Sequence, residues 1–282
     1  MTPVSFTFRI TLSTCFAMSA MAQLPAPAKV IALYPGVAPG SENWHYEEHA
    51  AGTADKPQVQ NVVKPELLYY PAEKATATGT AIIVAPGGGW RTLMMSYEGV
   101  DVAKRFNKMG IDAFVLKYRL TYSGPGENPQ QYQNVRAMSD ADGQQAVRLV
   151  RQHAAEYGVQ ANRIGMIGFS AGGGVLLGAV YGPADGRPDF AIPIYAATAS
   201  SAVPPAGAPP LFIAVASDDK AVGYQGSIDL FEAWIKAGLK AELHVFQIGA
   251  HGFVTKGGGA DHYLDRVEEW LKVNGLLTKA AH

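Results

Sequence analysis

The sequence predicts a doubly wound α/β sandwich in one domain, with a mostly parallel sheet, helices on both faces and no large lid. Three observations predict it. Short apolar runs alternate with stretches of helical spacing, the arrangement that a mostly parallel sheet requires. Some runs, such as residues 80–85, are apolar throughout rather than alternating, which marks strands buried on both faces. The chain of 282 residues, 48% hydrophobic and 17% charged, is long enough for one large core, and no internal repeat, low-complexity tract or long linker divides it.

The elements follow in order. Residues 64–70 read as an early strand and 80–85 as a buried one. Residues 99–109 have helical spacing and end at Gly110, a helix-terminating glycine, before a strand at 111–118. The clearest helix is 139–157: Asp140 and Asp142 stand at its start, Val147, Leu149 and Val150 supply apolar positions, and Gly158 stops it. Strands at 164–167, 190–195 and 211–216 come next, then a helix at 228–237 closed by Gly238, a strand at 242–248 and an amphipathic helix at 262–273. The loops 121–138 and 183–210 are rich in Gly and Pro and are the ones expected to carry function. Neither is long enough for a substantial helical lid, which favours a soluble or accessible polymeric substrate.

The N-terminus reads as an export signal. Arg9 precedes an apolar stretch, 10–21, that is too short to span a bilayer, and Ala20-Met21-Ala22 places small residues where a signal peptidase reads. The expected organisation is a signal at 1–22 cleaved after Ala22, a partly irregular extension at 23–59 and a catalytic domain at 60–282, in a secreted or periplasmic protein. The one cysteine, Cys15, falls inside the signal, so a disulfide framework and a thiolate metal site are excluded from the mature chain. A net charge of -1 and the lack of any basic cluster argue against nucleic acid and anionic membrane surfaces as partners.

The chemistry centres on Gly168-Phe169-Ser170-Ala171-Gly172. The pattern G-x-S-x-G is common by itself, and a bystander serine in a glycine-rich turn is its bland alternative. Here it lies between an apolar strand and the helical run that follows, which makes it a nucleophile elbow with Ser170 exposed at the sheet end. The flanking glycines are needed because a Cβ there would collide with the neighbouring strand or helix. A serine hydroxyl needs a base to accept its proton and an acid to orient that base, each after a downstream strand, acid first. Asp218 and Asp219 follow the strand 211–216, and His251, between Ala250 and Gly252, follows the strand 242–248. Seven histidines are present, but His251 alone stands between the final strand and the final helix. Backbone N–H donors for a developing oxyanion are expected from Ala171 and from Pro86-Gly87-Gly88-Gly89-Trp90, directly after the strand 80–85, with Gly88 or Gly89 as donor. A phosphate-cradling loop is the competing reading, but no Lys-Ser/Thr follows.

Together, Gly87-Gly88-Gly89-Trp90, Tyr118-Arg119-Leu120, Asp142 with Arg148-Leu149-Val150-Arg151, the glycines of 168–174, Asp219 and His251-Gly252-Phe253 resemble the BD-FAE-type and acetyl-xylan-esterase-like α/β-hydrolases. The resemblance spans roughly residues 60–275. It departs from the hormone-sensitive-lipase branch at Pro86, where those relatives carry histidine. It implies hydrolysis of carboxylic esters, commonly acetyl groups on sugars, in a secreted protein linked to plant-polysaccharide breakdown. In that fold the acid is followed by two residues and then an apolar anchor, which favours Asp219 with Val222 over Asp218. No metal or organic cofactor is implied. General short-chain carboxylesterase activity, a xylan glycosidase and a non-catalytic binding protein are the rival functions; the glycosidase needs two opposed carboxylates that the sequence does not display.

The remaining candidates have bland alternatives. Trp90 offers a sugar-stacking wall or simple packing, and Tyr97 is a second possible substrate contact. Tyr122, Glu127 and Tyr132 stand in the 121–138 loop as further candidate contacts. His45-Tyr46-Glu47-Glu48-His49 has two histidines four apart, but lacks the zinc-protease order and reads as a solvated segment.

Overall fold

The computed structural model describes residues 24–126, 129–257 and 259–279; the signal reading at 1–22 and Glu127 lie outside them. The strands are β1 (Lys29–Ala32), β2 (His49–Thr53), β3 (Lys56–Gln60), β4 (Glu66–Tyr70), β5 (Ala81–Ala85), β6 (Thr92–Leu93), β7 (Asp112–Lys117), β8 (Ile164–Phe169), β9 (Phe190–Ile194), β10 (Leu211–Ala216) and β11 (Ala241–Phe246). The helices are α1 (Asp101–Lys108), α2 (Pro129–Gln152), α3 (Ala154–Tyr157), α4 (Ala171–Tyr181), α5 (Gln225–Lys236) and α6 (Tyr263–Val273).

The main sheet runs β1-β4-β7-β5-β8-β9-β10-β11. Among the described strands of this sheet β4 alone is reversed, pairing antiparallel with β1 and with β7; from β7 to β11 every pairing is parallel. Every residue of β5, β7, β8, β9 and β10 is buried, as the apolar runs require of strands covered on both faces. Side-chain parity along β8 shows the two layers. Met166 approaches Gly143 of α2, whereas Phe169, three residues on and therefore on the opposite face, meets Tyr263 of α6 edge-on. On the first side α4 meets α5 through Tyr181 and Trp234, and on the second Arg105 of α1 pairs with Asp265 and Glu268 of α6.

The chain leaves β5 toward β7 on one side and returns to β8 on the other. The strand order therefore reverses between β5 and β8, and the loops at their C-terminal ends face each other across a crevice. In open parallel sheets ligands bind at such a point.

Three sequence expectations change. The 121–138 loop is half helix, because α2 begins at Pro129: proline is tolerated at the first helical position, where its missing N–H costs nothing. Asp142 consequently lies inside α2 rather than at a helix start, and its buried carboxylate pairs with Arg119. The helix also breaks at His153 before α3, and Gly158 closes it in the left-handed conformation at φ 69°. Finally, the 23–59 segment is not merely an extension. It supplies β1 at the edge of the main sheet and the β2–β3 hairpin, which pairs with β6.

The same segment settles the His45–His49 motif. Glu48 pairs with Lys117 at 2.7 Å, the Tyr46 hydroxyl donates to the Leu120 carbonyl at 3.2 Å and His49 meets Gln60. His45, Glu47, Glu48 and His49 stay exposed, as the solvated reading expects, while these contacts tie the segment to the domain. Among the described residues no group of three or more His, Cys, Asp or Glu is placed to hold a metal ion.

Candidate active site

At the end of β8 the backbone turns abruptly into α4, and Ser170 takes φ 51° and ψ −114°. A non-glycine residue at positive φ is strained, and the surroundings hold it there. Ser170 N–H donates to the Ile194 carbonyl at 3.1 Å, while its own carbonyl accepts from Gly174 and Ala197. The elbow glycines are required by close approach. A Cβ on Gly168 would run into the Gly172 carbonyl, and one on Gly172 into the carbonyls of Ala85 and Pro86. The serine thus projects from the sheet end because the chain has no room to turn otherwise.

The strand ends β10 and β11 bring the two other candidates to it. His251 Nε2 lies 2.9 Å from Ser170 Oγ, and His251 Nδ1 lies 2.8 Å from Asp219 Oδ2. The side chain of Asp219 has no exposed surface. Burial alone pushes its carboxyl up, but the hydrogen bonds from His251 and from the N–H groups of Val222 and Ala221 outweigh that and hold it below its ordinary value. An ionised carboxylate only accepts, so Nδ1 carries the imidazole proton, Nε2 is left as the acceptor and the Ser170 hydroxyl donates to it.

The choice between the two aspartates is made by direction. Asp218 points away from the imidazole and accepts from the N–H groups of Gly249 (3.0 Å) and Ala250 (2.7 Å). Those bonds, Ala250 foremost, keep its carboxyl below the ordinary value. Asp218 therefore anchors the loop that presents His251, including Ala250 at φ 52°, while Asp219 meets the ring itself.

The glycine loop faces Ser170 from the end of β5. Gly87 packs so closely that an added Cβ would sit 3.1 Å from Ser170 Cβ. Its N–H is already committed, donating to Glu98 Oε2 at 2.9 Å. Gly88 and Gly89 adopt φ 133° and 65°, backbone that L side chains rarely reach. Among the described residues the N–H groups of Gly88, Gly89 and Ala171 donate to no protein acceptor.

Trp90 is packed and offers no stacking wall. The residue is 5% exposed, Nε1 donates to Ser139 Oγ at 3.0 Å, and the Arg136 guanidinium lies 4.9 Å from the ring centroid. Tyr97 is half-buried on the wall of a cavity of about 370 Å³, shared with Val254, Thr255 and Tyr263. Tyr122 lies tilted against Tyr46, 5.3 Å between centroids, and Trp44 stacks on Tyr46 in the same cluster. The side chain of Tyr132 lies outside the described residues.

Sequence reasoning missed two residues. Glu98 is 4% exposed and accepts both the Gly87 N–H and, at 2.7 Å, the Tyr195 hydroxyl. The Tyr195 ring, fully buried, lies edge-on to the His251 imidazole at 5.0 Å. The only local signal was a carboxylate among apolar residues just after the glycine loop.

The parallel sheet, the strained serine between strand and helix, and a histidine on the loop after the last strand define an α/β-hydrolase. Residues 67–202 match the BD-FAE family model. An acetylxylan esterase of Xylanibacter ruminicola is 28% identical over 233 residues, 69% of this chain and 46% of that protein, so the chain spans about half the length of this curated relative. Among solved structures, an acetyl ester-xyloside bifunctional hydrolase from Caldicellulosiruptor lactoaceticus superposes with a TM-score of 0.64 at 25% identity, covering 90% of this chain and 98% of that one. A thermophilic esterase from Thermogutta terrifontis, seen with propionate bound, gives 0.64 at 26% identity over 78% of this chain and 93% of its own.

Proposed function

We propose that the protein is a serine carboxylic ester hydrolase that removes acetyl groups from a plant polysaccharide or oligosaccharide such as acetylated xylan. The observation that carries the chemistry is the continuous chain Ser170–His251–Asp219, with links of 2.9 and 2.8 Å, beside uncommitted backbone N–H groups. His251 Nε2 takes the proton as Ser170 Oγ attacks the ester carbonyl carbon. The developing oxyanion is received by Ala171 N–H and by Gly88 or Gly89 N–H, and Asp219 stabilises the imidazolium. The alcohol leaves with the proton from His251, forming an acyl-enzyme. Water, deprotonated in turn by His251, attacks that ester, and the carboxylic acid departs, ionising in solvent, as His251 returns its proton to Ser170. Every step uses groups of this chain.

The acetyl-sugar assignment draws on the acetylxylan esterase and the bifunctional hydrolase among the relatives. It is tested by measuring acetate and reducing sugar released from acetylated xylan, beside turnover of a small aryl acetate. Acetate without reducing sugar is expected. Turnover of the aryl ester alone would reduce the reading to a general short-chain carboxylesterase, and reducing sugar without acetate would replace it with a glycosidase.

Export is part of the proposal and draws on residues 1–22. The protein recovered from the periplasm or medium of a producing bacterial cell should begin at Gln23 by N-terminal sequencing. Retention in the cytoplasm with residues 1–22 intact would remove this part.

A further inference from the structure

We propose that Glu98 is a positioning residue of this site, one buried carboxylate that fixes the glycine loop through Gly87 and the His251 ring through Tyr195, and whose charge favours the imidazolium. The inference rests on the reading of Ser170 and His251 given above.

The two halves of the machinery come from distant parts of the chain. The glycine loop follows β5, and the imidazole lies on the loop after β11. Glu98 bridges them. Oε2 accepts from Gly87 N–H, which removes that N–H from competition for the substrate oxygen and sets the start of the turn that presents Gly88 and Gly89. Oε1 accepts from Tyr195, which follows β9 at φ 34° and is held by its own N–H to Ala214 at 2.7 Å. The Tyr195 ring then backs the imidazole edge-on, with Phe253 and Phe169 packed around it. A shift of Glu98 would therefore move an oxyanion donor and the base together.

Burying a carboxylate is costly, and two neutral donors compensate it only in part. Burial holds the Glu98 carboxyl above its ordinary value, and the bonds from Tyr195 and Gly87 and the positive charge that His251 can carry offset this only in part, so the imidazolium and the ionised carboxylate favour each other. A carboxyl kept here for packing alone would be better replaced by an apolar side chain, whereas one serving the imidazolium has a reason to remain. The groups facing Glu98 are Tyr195, Tyr97, Tyr263 and His251. Those facing His251 are Asp219, Ser170, Tyr195 and Lys256, whose ammonium donates to the His251 carbonyl. Of these, Asp219 is held ionised, and Glu98 is the second carboxyl whose ionised form a positive His251 favours.

Two variants test the proposal. Glu98→Gln keeps the shape: its amide oxygen can accept from Gly87 and its NH₂ can donate to the Tyr195 oxygen, so the charge is what is lost. Its kcat on an aryl acetate should fall about tenfold with KM within about twofold. The acidic limb of its pH–kcat/KM profile should move to lower pH by about half a unit or more, because a lost negative charge makes the imidazolium less stable. Tyr195→Phe keeps the ring but cuts its tie to Glu98, and should lower kcat with KM preserved. Purely structural support would leave the acidic limb in place. Folded Glu98→Gln with wild-type kcat and an unmoved limb overturns the proposal. If Glu98→Gln does not fold, Tyr195→Phe decides: lowered kcat supports it and wild-type kcat overturns it. Ser170→Ala measured alongside separates the two levels, since an inactive Ser170→Ala with wild-type Glu98→Gln sinks only the role of Glu98, whereas a fully active Ser170→Ala removes the site itself.

Discussion

Ser170→Ala should lower kcat for ester hydrolysis by about 10⁶-fold while the protein stays folded. The side chain contributes Oγ to the reaction and one hydrogen bond, to His251. The elbow itself is held by backbone: Ser170 N–H to Ile194, and its carbonyl to Gly174 and Ala197. Alanine keeps these bonds and the same strained φ. What survives is catalysis by substrate binding and the oxyanion donors, about 10³–10⁴ over water. The aspartates should grade below the serine. Asp219→Asn leaves the geometry but reverses the favoured tautomer of His251, for a loss of about 10⁴. Asp218→Ala releases Gly249 and Ala250 and lets the histidine loop drift, for a loss of about ten- to a hundredfold. Initial rates on an aryl acetate, with circular dichroism and melting curves, check the series. Full turnover in Ser170→Ala, or a larger loss from Asp218 than from Asp219, would contradict the assignment.

Asp142→Ala should destabilise the fold by about 3–5 kcal/mol. Arg119 and Asp142 are 1% and 0% exposed, and the guanidinium meets both carboxylate oxygens, with Nη2 to Oδ1 at 2.8 Å and Nε to Oδ2 at 2.9 Å. Arg119 N–H and the Tyr34 hydroxyl complete the carboxylate, and the guanidinium also reaches the carbonyls of Pro39 and Met138. The pair thus ties β7's exit, α2 and the N-terminal segment together. Truncation leaves a buried cation whose remaining partners are neutral. The cost should appear as a lowered denaturant midpoint with an unchanged slope. A midpoint equal to the parent's would show that water replaces the carboxylate at no cost.

The strands β5, β8 and β10 were legible because strands buried on both faces must be apolar at every position. The start of α2 was not, since the Gly- and Pro-rich composition of 121–138 resembles a loop and only Pro129 marks a helix start. Trp90 stood beside the glycine loop, where a stacking surface is plausible, and its burial against Ser139 and Arg136 depends on a helix 49 residues away for the hydrogen bond alone.

By itself the sequence determined the fold class, the elbow at Ser170, the glycine loop and the slot of His251. Each is written in a few adjacent residues, because a tight turn demands glycine and a buried strand demands apolar side chains. Tertiary structure alone decided that Asp219 meets the imidazole while Asp218 braces its loop, that Trp90 is packed, and that Glu98 and Tyr195 underlie the site. Those roles depend on which way a side chain points and on what distant strands bring to it. Asp219 and His251 are 32 residues apart, and Glu98 and Tyr195 are 97 apart. No local pattern encodes such a pairing. It exists only once the parallel sheet sets its strand ends side by side.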